Sequence, residues 1–460
     1  MRLKMGRWSG TPPRSGLVQR MLAALGNGVK GNKWFSLIDK VYRPATLQSS
    51  WKQVESNRGA AGIDGQSIER FAADAGHYLD ELAKDLEEGR YQPQAVRRVE
   101  IPKAGGKTRP LGIPTSRDTL LAKPADCGSG CEAAIPAPDA SQRRVMAATV
   151  KGRIVQTAVK RVIEPIFERE FLPMSYGFRP GRGCKDALRE VDGYLKEGYT
   201  HVVDADLKGY FDSIPHPLLK ERIEERISDG RLLELLAGWL RQDIVKGLER
   251  WTPMGGTPQG AVISPLLANL YLHPLNERMT KLGYRMVRYA DDFVILCGSE
   301  EQAHAALEEV KAWVEANGLT LHPDKTHVGD CRIEGQGFEF LGYRFEAGKR
   351  RVRKKSLQGF KDKIREKTRR SRGVGMTQII AGLTPMIRGW YGYFKHADCW
   401  EFPNLDGFIR RRLRAILRKQ EKRPGFGKCH ADHKRWTNVY FAALGLFTMT
   451  EARMSASQPR

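Results

Sequence analysis

The sequence predicts an α+β fold, in which antiparallel hairpins and packed helices lead into a basic, all-helical segment. Three observations carry this expectation. Apolar, β-branched runs alternate with amphipathic helical patterns across residues 34–347. One pair of those runs reads as strand, tight turn, strand, with the adjacent acids Asp291 and Asp292 at the tip. From Gly348 to Arg423 the chain reads as helices and carries 23 Lys plus Arg against 6 Asp plus Glu, a local charge of +17.

Composition narrows the classes open to the chain. With 460 residues, 41% of them hydrophobic, it can build two or three domains with sizeable cores. The net charge of +24 and a pI near 9.8 point to a polyanionic partner. Because the excess is concentrated after Gly348, nucleic acid fits better than a membrane surface. Seven scattered cysteines do not make a disulfide framework, which points to a reducing, cytoplasmic setting. There is no apolar run of about 18 residues, the length of a membrane span. The apolar stretch Met21 to Leu25 is too short for a signal peptide.

In chain order, residues 1–33 form a basic, Gly-rich N-terminus. The spacing predicts a helix over Trp34–Glu55, a loop over Gly59–Gly65 and a helix over Ile68–Gly89. Val96 to Pro114 reads as a hairpin with a Gly-Gly turn, and Lys103, Lys107 and Arg109 cluster around that turn. An Ala/Pro/Gly-rich insertion, about residues 117–149, interrupts the pattern. Its Cys127 and Cys131 have no second cysteine pair nearby, so it reads as a loop rather than a zinc knuckle. Helices are predicted over Val150–Phe167 and Cys184–Lys196, and a strand over Val202–Leu207. A helical stretch follows from Pro215 to about Val245, then helices over Leu266–Met279 and Glu300–Ala316. A strand ending in a loop is predicted over Gly318–Thr326, and another strand over Phe338–Phe345. Three basic helices come next, at about Ser356–Arg370, Thr377–Phe394 and Leu405–Lys422, before a loop-like tail from Pro424.

The acids suggest the chemistry. Neighbouring carboxylates repel, and burying them costs several kcal/mol unless a cation sits between them. A hard ion such as Mg²⁺ binds carboxylate oxygens and substrate phosphates together. On the strand at Val202–Leu207, Asp204 and Asp206 share one face. Two divalent ions held by Asp206, Asp291 and Asp292 would suit nucleotidyl transfer to a 3′-hydroxyl. The residue pattern reaches that class of chemistry and no further.

The wording of the motifs is more specific. In order, they are Ile101-Pro-Lys, Arg109-Pro-Leu-Gly-Ile-Pro114, Tyr176-Gly-Phe-Arg-Pro180 and Asp206-Leu-Lys-Gly-Tyr-Phe-Asp212. They continue as Gly256-Thr-Pro-Gln-Gly-Ala-Val-Ile-Ser-Pro265, Tyr289-Ala-Asp-Asp292, Gly318-Leu, Lys325-Thr326 and Phe340-Leu-Gly-Tyr343. This series resembles the reverse-transcriptase domain of bacterial group II intron-encoded proteins. Ile387-Arg-Gly-Trp-Tyr-Gly-Tyr-Phe394 is similar to the thumb or maturase region of that family, and the match covers roughly residues 34–450.

The resemblance implies a right-hand polymerase: fingers and the start of the palm over residues 34–200, the palm with the catalytic carboxylates over 201–347, and an α-helical thumb/maturase domain over 348–423 with a tail to residue 460. By motif position it implies Asp206, Asp291 and Asp292 as catalytic metal ligands, with Leu207 beside them in the metal set and Asp204 outside it. Two Mg²⁺ ions are expected, with Mn²⁺ as a substitute. Lys103 and Arg109 match the groups that hold the incoming triphosphate, and Gln259 matches a nucleotide contact. Phe211 matches the ring that crowds the sugar 2′ position, with palm core as the alternative. Lys325 is a phosphate or primer contact or else a surface lysine. Intron RNA, an RNA template, primer or target DNA and dNTPs are the implied partners, with no membrane. Arg179, Arg388, Arg410, Arg411, Arg412 and Arg414 are the expected nucleic-acid contacts, whereas Trp390 and Phe394 sit at core spacing.

Two departures stand out. The family joins its first two blocks directly, whereas here the insertion intervenes. No paired-Cys/His endonuclease domain follows the basic region, and Cys429, His430 and His433 make only a thin metal candidate. The leading reading is a group II intron reverse transcriptase that also assists splicing and retrohoming. The alternatives are a maturase that needs no polymerisation and a reverse transcriptase repurposed for defence or diversification.

Overall fold

The computed structural model describes residues 33–57, 59–97, 99–102, 108–111, 148–246, 248–258, 260–371, 373–398, 400–427 and 429–457. Among these residues the chain forms two compact units, the first running to Val328 and the second starting at Gly329. Strands and helices are mixed in the α+β manner expected. No helix among the described residues is long and apolar enough to cross a membrane.

The first unit opens with α1 (Ile38–Val41) and α2 (Pro44–Ser56), where the sequence pattern runs on as one helix. The break falls at Pro44. Proline biases the residue before it away from helical torsions, and Arg43 sits at φ −52°, ψ 133°. The next predicted helix is likewise two, α3 (Ile68–Ala73) and α4 (Ala75–Glu87), separated by Asp74 at φ −142°, ψ 44°. Then come β1 (Val96–Arg97), β2 (Val99–Pro102) and β3 (Thr108–Leu111). Strands β2 and β3 form the expected antiparallel hairpin, with Val99 opposite Leu111 and Pro102 opposite Thr108. Its turn, with Lys103 and Lys107, lies outside the described residues, as does the insertion up to residue 147.

Helix α5 (Val150–Glu168) starts at Thr149, whose side-chain oxygen accepts the Gly152 N–H at 3.0 Å. Helix α6 (Cys184–Lys196) starts where Asp186 reaches back to the Gly183 N–H at 2.9 Å. Next are β4 (His201–Asp206), α7 (Tyr210–Ser213), α8 (His216–Glu224) and α9 (Gly230–Leu240). Where the helical pattern was expected to reach Val245, the chain instead forms the short hairpin β5 (Ile244–Lys246) and β6 (Glu249–Trp251). Strand β1 pairs with β5 in parallel, a long-range partner that local periodicity does not reveal.

The unit closes with α10 (Ser264–Lys281), β7 (Arg285–Tyr289), β8 (Asp292–Cys297), α11 (Glu300–Ala316) and β9 (His327–Asp330), in which the chain passes to the second unit. The main sheet has the order β7-β8-β4-β9. Of the strand ending in a loop expected over Gly318–Thr326, only a single bridge forms, Leu207 to Leu321, and the rest is loop. Strand structure begins only at His327, beyond Pro323, which has no N–H to donate. Helices α5, α9 and α10 and the inner residues of β4 and β8 share one apolar core, including Val155, Val159, Leu236, Trp239, Tyr271, Val203 and Phe293. Asp229 ties distant chain into this core. Its buried carboxylate accepts the Leu37 and Ile38 N–H groups at 2.7 and 2.8 Å and the Leu232 N–H of α9 at 3.0 Å.

The second unit starts with a three-stranded antiparallel sheet, β10 (Phe338–Phe340), β11 (Tyr343–Glu346) and β12 (Lys349–Val352). The single strand expected over Phe338–Phe345 is a hairpin. Leu341 and Gly342 form its two-residue turn at φ 48° and 84°, and Phe340 pairs with Tyr343. The three basic helices are α12 (Lys354–Lys367), α13 (Met376–Phe394) and α14 (Glu401–Gln420). The tail expected as loop holds α15 (His430–Arg435), α16 (Asn438–Ala443) and α17 (Met449–Ser457). Part of the reason lies far away in sequence: buried Asp406 of α14 accepts the N–H groups of Met449 and Thr450 at the start of α17, at 3.1 and 2.9 Å.

Candidate functional site

The acids meet at one end of the main sheet. Asp206 is the last residue of β4 and Asp292 the first of β8, and the register sets them directly opposite each other. Tyr289 is opposite Asp292 on the other side, so the β7–β8 hairpin closes over Ala290 and Asp291 alone. All three predicted acids are therefore brought to the same sheet end. Asp204 stands two residues back, opposite Val294.

The hairpin turn is held in an unusual shape. Ala290 has φ +60°, where a non-glycine residue carries strain of roughly 1–3 kcal/mol unless its surroundings impose the conformation. The Ser175–Phe178 loop supplies part of that constraint. A Cβ on Gly177 would lie 2.3 Å from the Ala290 nitrogen, so only glycine fits there without a shift. The Tyr176 N–H donates to the Arg288 carbonyl and the Arg288 N–H to the Met174 carbonyl, both at 2.9 Å.

Behind the turn lies a residue that the sequence reading missed. Arg288 is wholly buried. Its Nε donates to Asn276 Oδ1 at 3.0 Å. One terminal nitrogen donates to Asn269 Oδ1 at 2.9 Å and to the Ala290 carbonyl at 2.8 Å, and the other to Ser175 Oγ at 2.7 Å. Asn269 in turn donates to the Gly177 carbonyl at 2.7 Å. Burial pushes the guanidinium down to about 10, while nearby Tyr210 and Asp291 favour its charged form. It therefore stays charged at neutral pH. The available signal was an arginine inside an apolar strand, where a charge needs a purpose-built set of partners.

A loop closes the site from the other side. Lys208 N–H donates to the Thr320 carbonyl at 2.8 Å, and His322 N–H to the Asp206 carbonyl at 2.7 Å. This fixes Lys325, whose ammonium forms an ion pair with Asp206. The lysine is 58% exposed and the aspartate 28%, so the pair contributes no more than about 1 kcal/mol. Leu207 is buried beside it. Phe211 is half-buried, edge-on to Phe178 at 6.4 Å and Tyr210 at 5.5 Å. Its carbonyl accepts the Thr257 N–H at 2.6 Å, which brings the Gly256–Pro258 turn against α7. Gln259 and Lys103 lie outside the described residues. Arg109 is placed in β3 opposite Ile101.

Among the described residues, no three or more His, Cys, Asp or Glu side chains converge as a metal-binding group. That bears equally on Cys429, His430 and His433; Cys429 Sγ instead accepts from Arg418 at 3.2 Å. The carboxylates at the sheet end still suit Mg²⁺ by their chemistry. Mg²⁺ takes one or two protein carboxylates and completes its shell with water and substrate phosphates, rather than using an all-protein cage.

The predicted nucleic-acid arginines divide into two sets. Arg388 is exposed, 5.4 Å from the Phe447 ring centre. Arg410, Arg411 and Arg412 are half-buried on α14; Arg411 lies over Phe408, and Arg412 bonds to Thr368. Arg414 faces inward, donating to the Trp436 carbonyl at 2.9 Å and to Asn438 Oδ1 at 3.3 Å. Arg179 is also interior, 4% exposed, with all three nitrogens engaged by Glu168 and the carbonyls of Phe171, Leu172 and Ser175. Those two are corrected to structural roles, because every nitrogen of Arg179 is engaged and Arg414, 3% exposed, is turned into the fold. Arg179→Ala is accordingly expected to destabilise the first unit by about 3–5 kcal/mol, since it strands the Glu168 charge. Urea denaturation checks this, and an unchanged midpoint with weaker RNA binding would reverse the correction.

Comparison with known proteins places this geometry in a family. Residues 135–345 match the family described as Reverse transcriptase (RNA-dependent DNA polymerase), and residues 357–436 match the Group II intron, maturase-specific domain. Protein YkfC of Escherichia coli (strain K12) is 32% identical over 404 residues, covering 78% of this chain and 89% of that protein. Group II intron-encoded protein LtrA of Lactococcus lactis subsp. cremoris is 31% identical over 249 residues, 54% of this chain and 35% of LtrA. An uncharacterized 91 kDa protein in the cob intron of Schizosaccharomyces pombe is 30% identical over 345 residues, 61% of this chain and 37% of that protein. With the carboxylate hairpin inside the first matched domain and the basic helices inside the second, this chain belongs to the group II intron reverse transcriptase/maturase family.

Proposed function

We propose that this protein is an RNA-directed DNA polymerase whose second unit binds intron RNA to assist splicing and retrohoming. The observation that carries the reading is the register of Asp206 opposite Asp292, with Asp291 in the two-residue turn between β7 and β8. In this reading the first unit comprises fingers and palm, and the basic helices after it serve as thumb and maturase. Asp206, Asp291 and Asp292 would hold Mg²⁺, with Mn²⁺ as a substitute, and the backbone of Leu207 lies beside them. When bound, the ions lower the pKa of the primer 3′-hydroxyl and stabilise the leaving pyrophosphate.

The protein groups have the complementary roles. Lys103 and Arg109 bind the triphosphate of the incoming dNTP, Arg by paired donors and Lys as a point charge. Gln259 orients the nucleotide from a Gly/Pro turn. The Phe211 ring, set edge-on between Phe178 and Tyr210, excludes a ribose 2′-hydroxyl by clash. Lys325, which pairs with Asp206, would contact a substrate phosphate. Arg388, Arg410, Arg411 and Arg412 contact the RNA backbone.

Primer extension on an RNA template with dNTPs and Mg²⁺ tests the reading. Extension is expected with Mg²⁺, none after chelation with EDTA, and recovery when Mg²⁺ is returned. RNA binding without extension under any of these conditions would favour a maturase that does not polymerise.

A further inference from the structure

The buried guanidinium behind the acidic turn has no place in the chemistry described so far. Its surroundings are specific. Four hydrogen bonds leave Arg288 for three parts of the chain: α10 through Asn269 and Asn276, the Ser175–Phe178 loop through Ser175, and the turn itself through the Ala290 carbonyl. All four acceptors are neutral oxygens. A buried charge whose hydrogen bonds all end on neutral groups is rare, and it is retained where those groups are already arranged around it. The Ala290 carbonyl that Arg288 holds belongs to the strained residue immediately before Asp291.

We propose that Arg288 is a positioning residue for the acidic site: its planar fork fixes the Ala290–Asp291 turn, and so sets where the Asp291 and Asp292 carboxylates stand relative to Asp206. This rests on the proposed polymerase reading for its catalytic consequence, but not for its effect on cation binding. Lysine cannot do the same work. An ammonium at the same depth carries the charge but lacks donors aimed at once toward Asn276, Asn269, Ser175 and the Ala290 carbonyl. The charge matters as well as the shape. A fixed positive group behind the turn partly offsets the mutual repulsion of the acids before any cation arrives.

The experiment compares the full-length wild type, Arg288→Lys and Arg288→Met for Mn²⁺ binding, read as free Mn²⁺ by EPR. The same proteins are compared in primer extension, with the Mn²⁺ half-saturation and the rate at saturation measured separately. Circular dichroism confirms the fold. The expected result is that folded Arg288→Lys binds Mn²⁺ at least tenfold more weakly than the wild type and still needs more Mn²⁺ for extension, whereas RNA affinity is unchanged. Equal Mn²⁺ binding and equal half-saturation in Arg288→Lys overturn the proposal. If the wild type binds Mn²⁺ but extends no primer, the polymerase reading fails, and weaker Mn²⁺ binding by Arg288→Lys still supports the positioning role. Should both Arg288 variants fail to fold, Asn269→Ala carries the same comparison, because it removes an acceptor of Arg288 and the donor to Gly177 together. A shift in its Mn²⁺ half-saturation supports the proposal, and none overturns it.

Discussion

Asp291→Ala is expected to leave a folded protein that binds RNA as before and extends a primer at least about a thousandfold more slowly. The turn keeps its length and its left-handed Ala290, and losing one of three neighbouring acids relieves repulsion rather than creating a cavity. On the proposed function, what is lost is a carboxylate that would hold divalent ions. Such ions supply several kcal/mol of stabilisation to developing charge in the transition state. Each ~1.4 kcal/mol corresponds to a factor of ten, so losing about 4 kcal/mol gives the stated effect. Single-turnover extension beside filter binding of the same RNA separates the two properties. Extension within tenfold of wild type would remove Asp291 from the metal-binding set.

Trp390→Ala is expected to destabilise the second unit strongly. The ring is 5% exposed and stacks on Phe360 with centroids 4.4 Å apart at an interplanar angle of 18°. Phe394 and Phe402 complete its surroundings at 4.7 and 6.4 Å. Truncating a buried tryptophan costs about 3–5 kcal/mol through lost transfer energy and the cavity left behind. The second unit should therefore unfold at markedly lower denaturant, and RNA binding should fall with it. Parallel denaturation and RNA-binding curves check the order of events. If Trp390 stacked on bases instead, affinity would fall by about 1–3 kcal/mol with the melting curve unmoved.

What could be read directly from the chain was whatever local pattern encodes. The hairpin with its two acids, helix α6 at both of its ends, and the core spacing of Trp390 and Phe394 all follow from period and turn chemistry. Misreadings cluster where a partner distant in sequence decides. The β5–β6 hairpin depends on β1, and α17 depends on Asp406. The helix break at Pro44 and the hairpin turn at Leu341-Gly342 had local signals, since a proline and a glycine were visible. In the site, the acids were legible because adjacent carboxylates in an apolar setting call for a cation. Arg288 was not, because its meaning lies in Asn269, Asn276 and Ser175, none of which carries a signal of its own. Arginine runs misled in the opposite direction: Arg179 and Arg414 count toward the net charge yet face inward.

The three hydrogen bonds on Asp229 also bear on how the chain is made. Two of them span 192 and 191 residues, to the backbone of Leu37 and Ile38. Synthesis runs from the N-terminus at about 5–20 residues per second, so helix α1 leaves the ribosome roughly 10–40 s before its fastening carboxylate exists. During that interval its first N–H groups have only water to bond. A nascent chain stalled before Asp229, or a fragment cut there, therefore lacks the group that anchors helix α1, whatever its remaining sequence encodes.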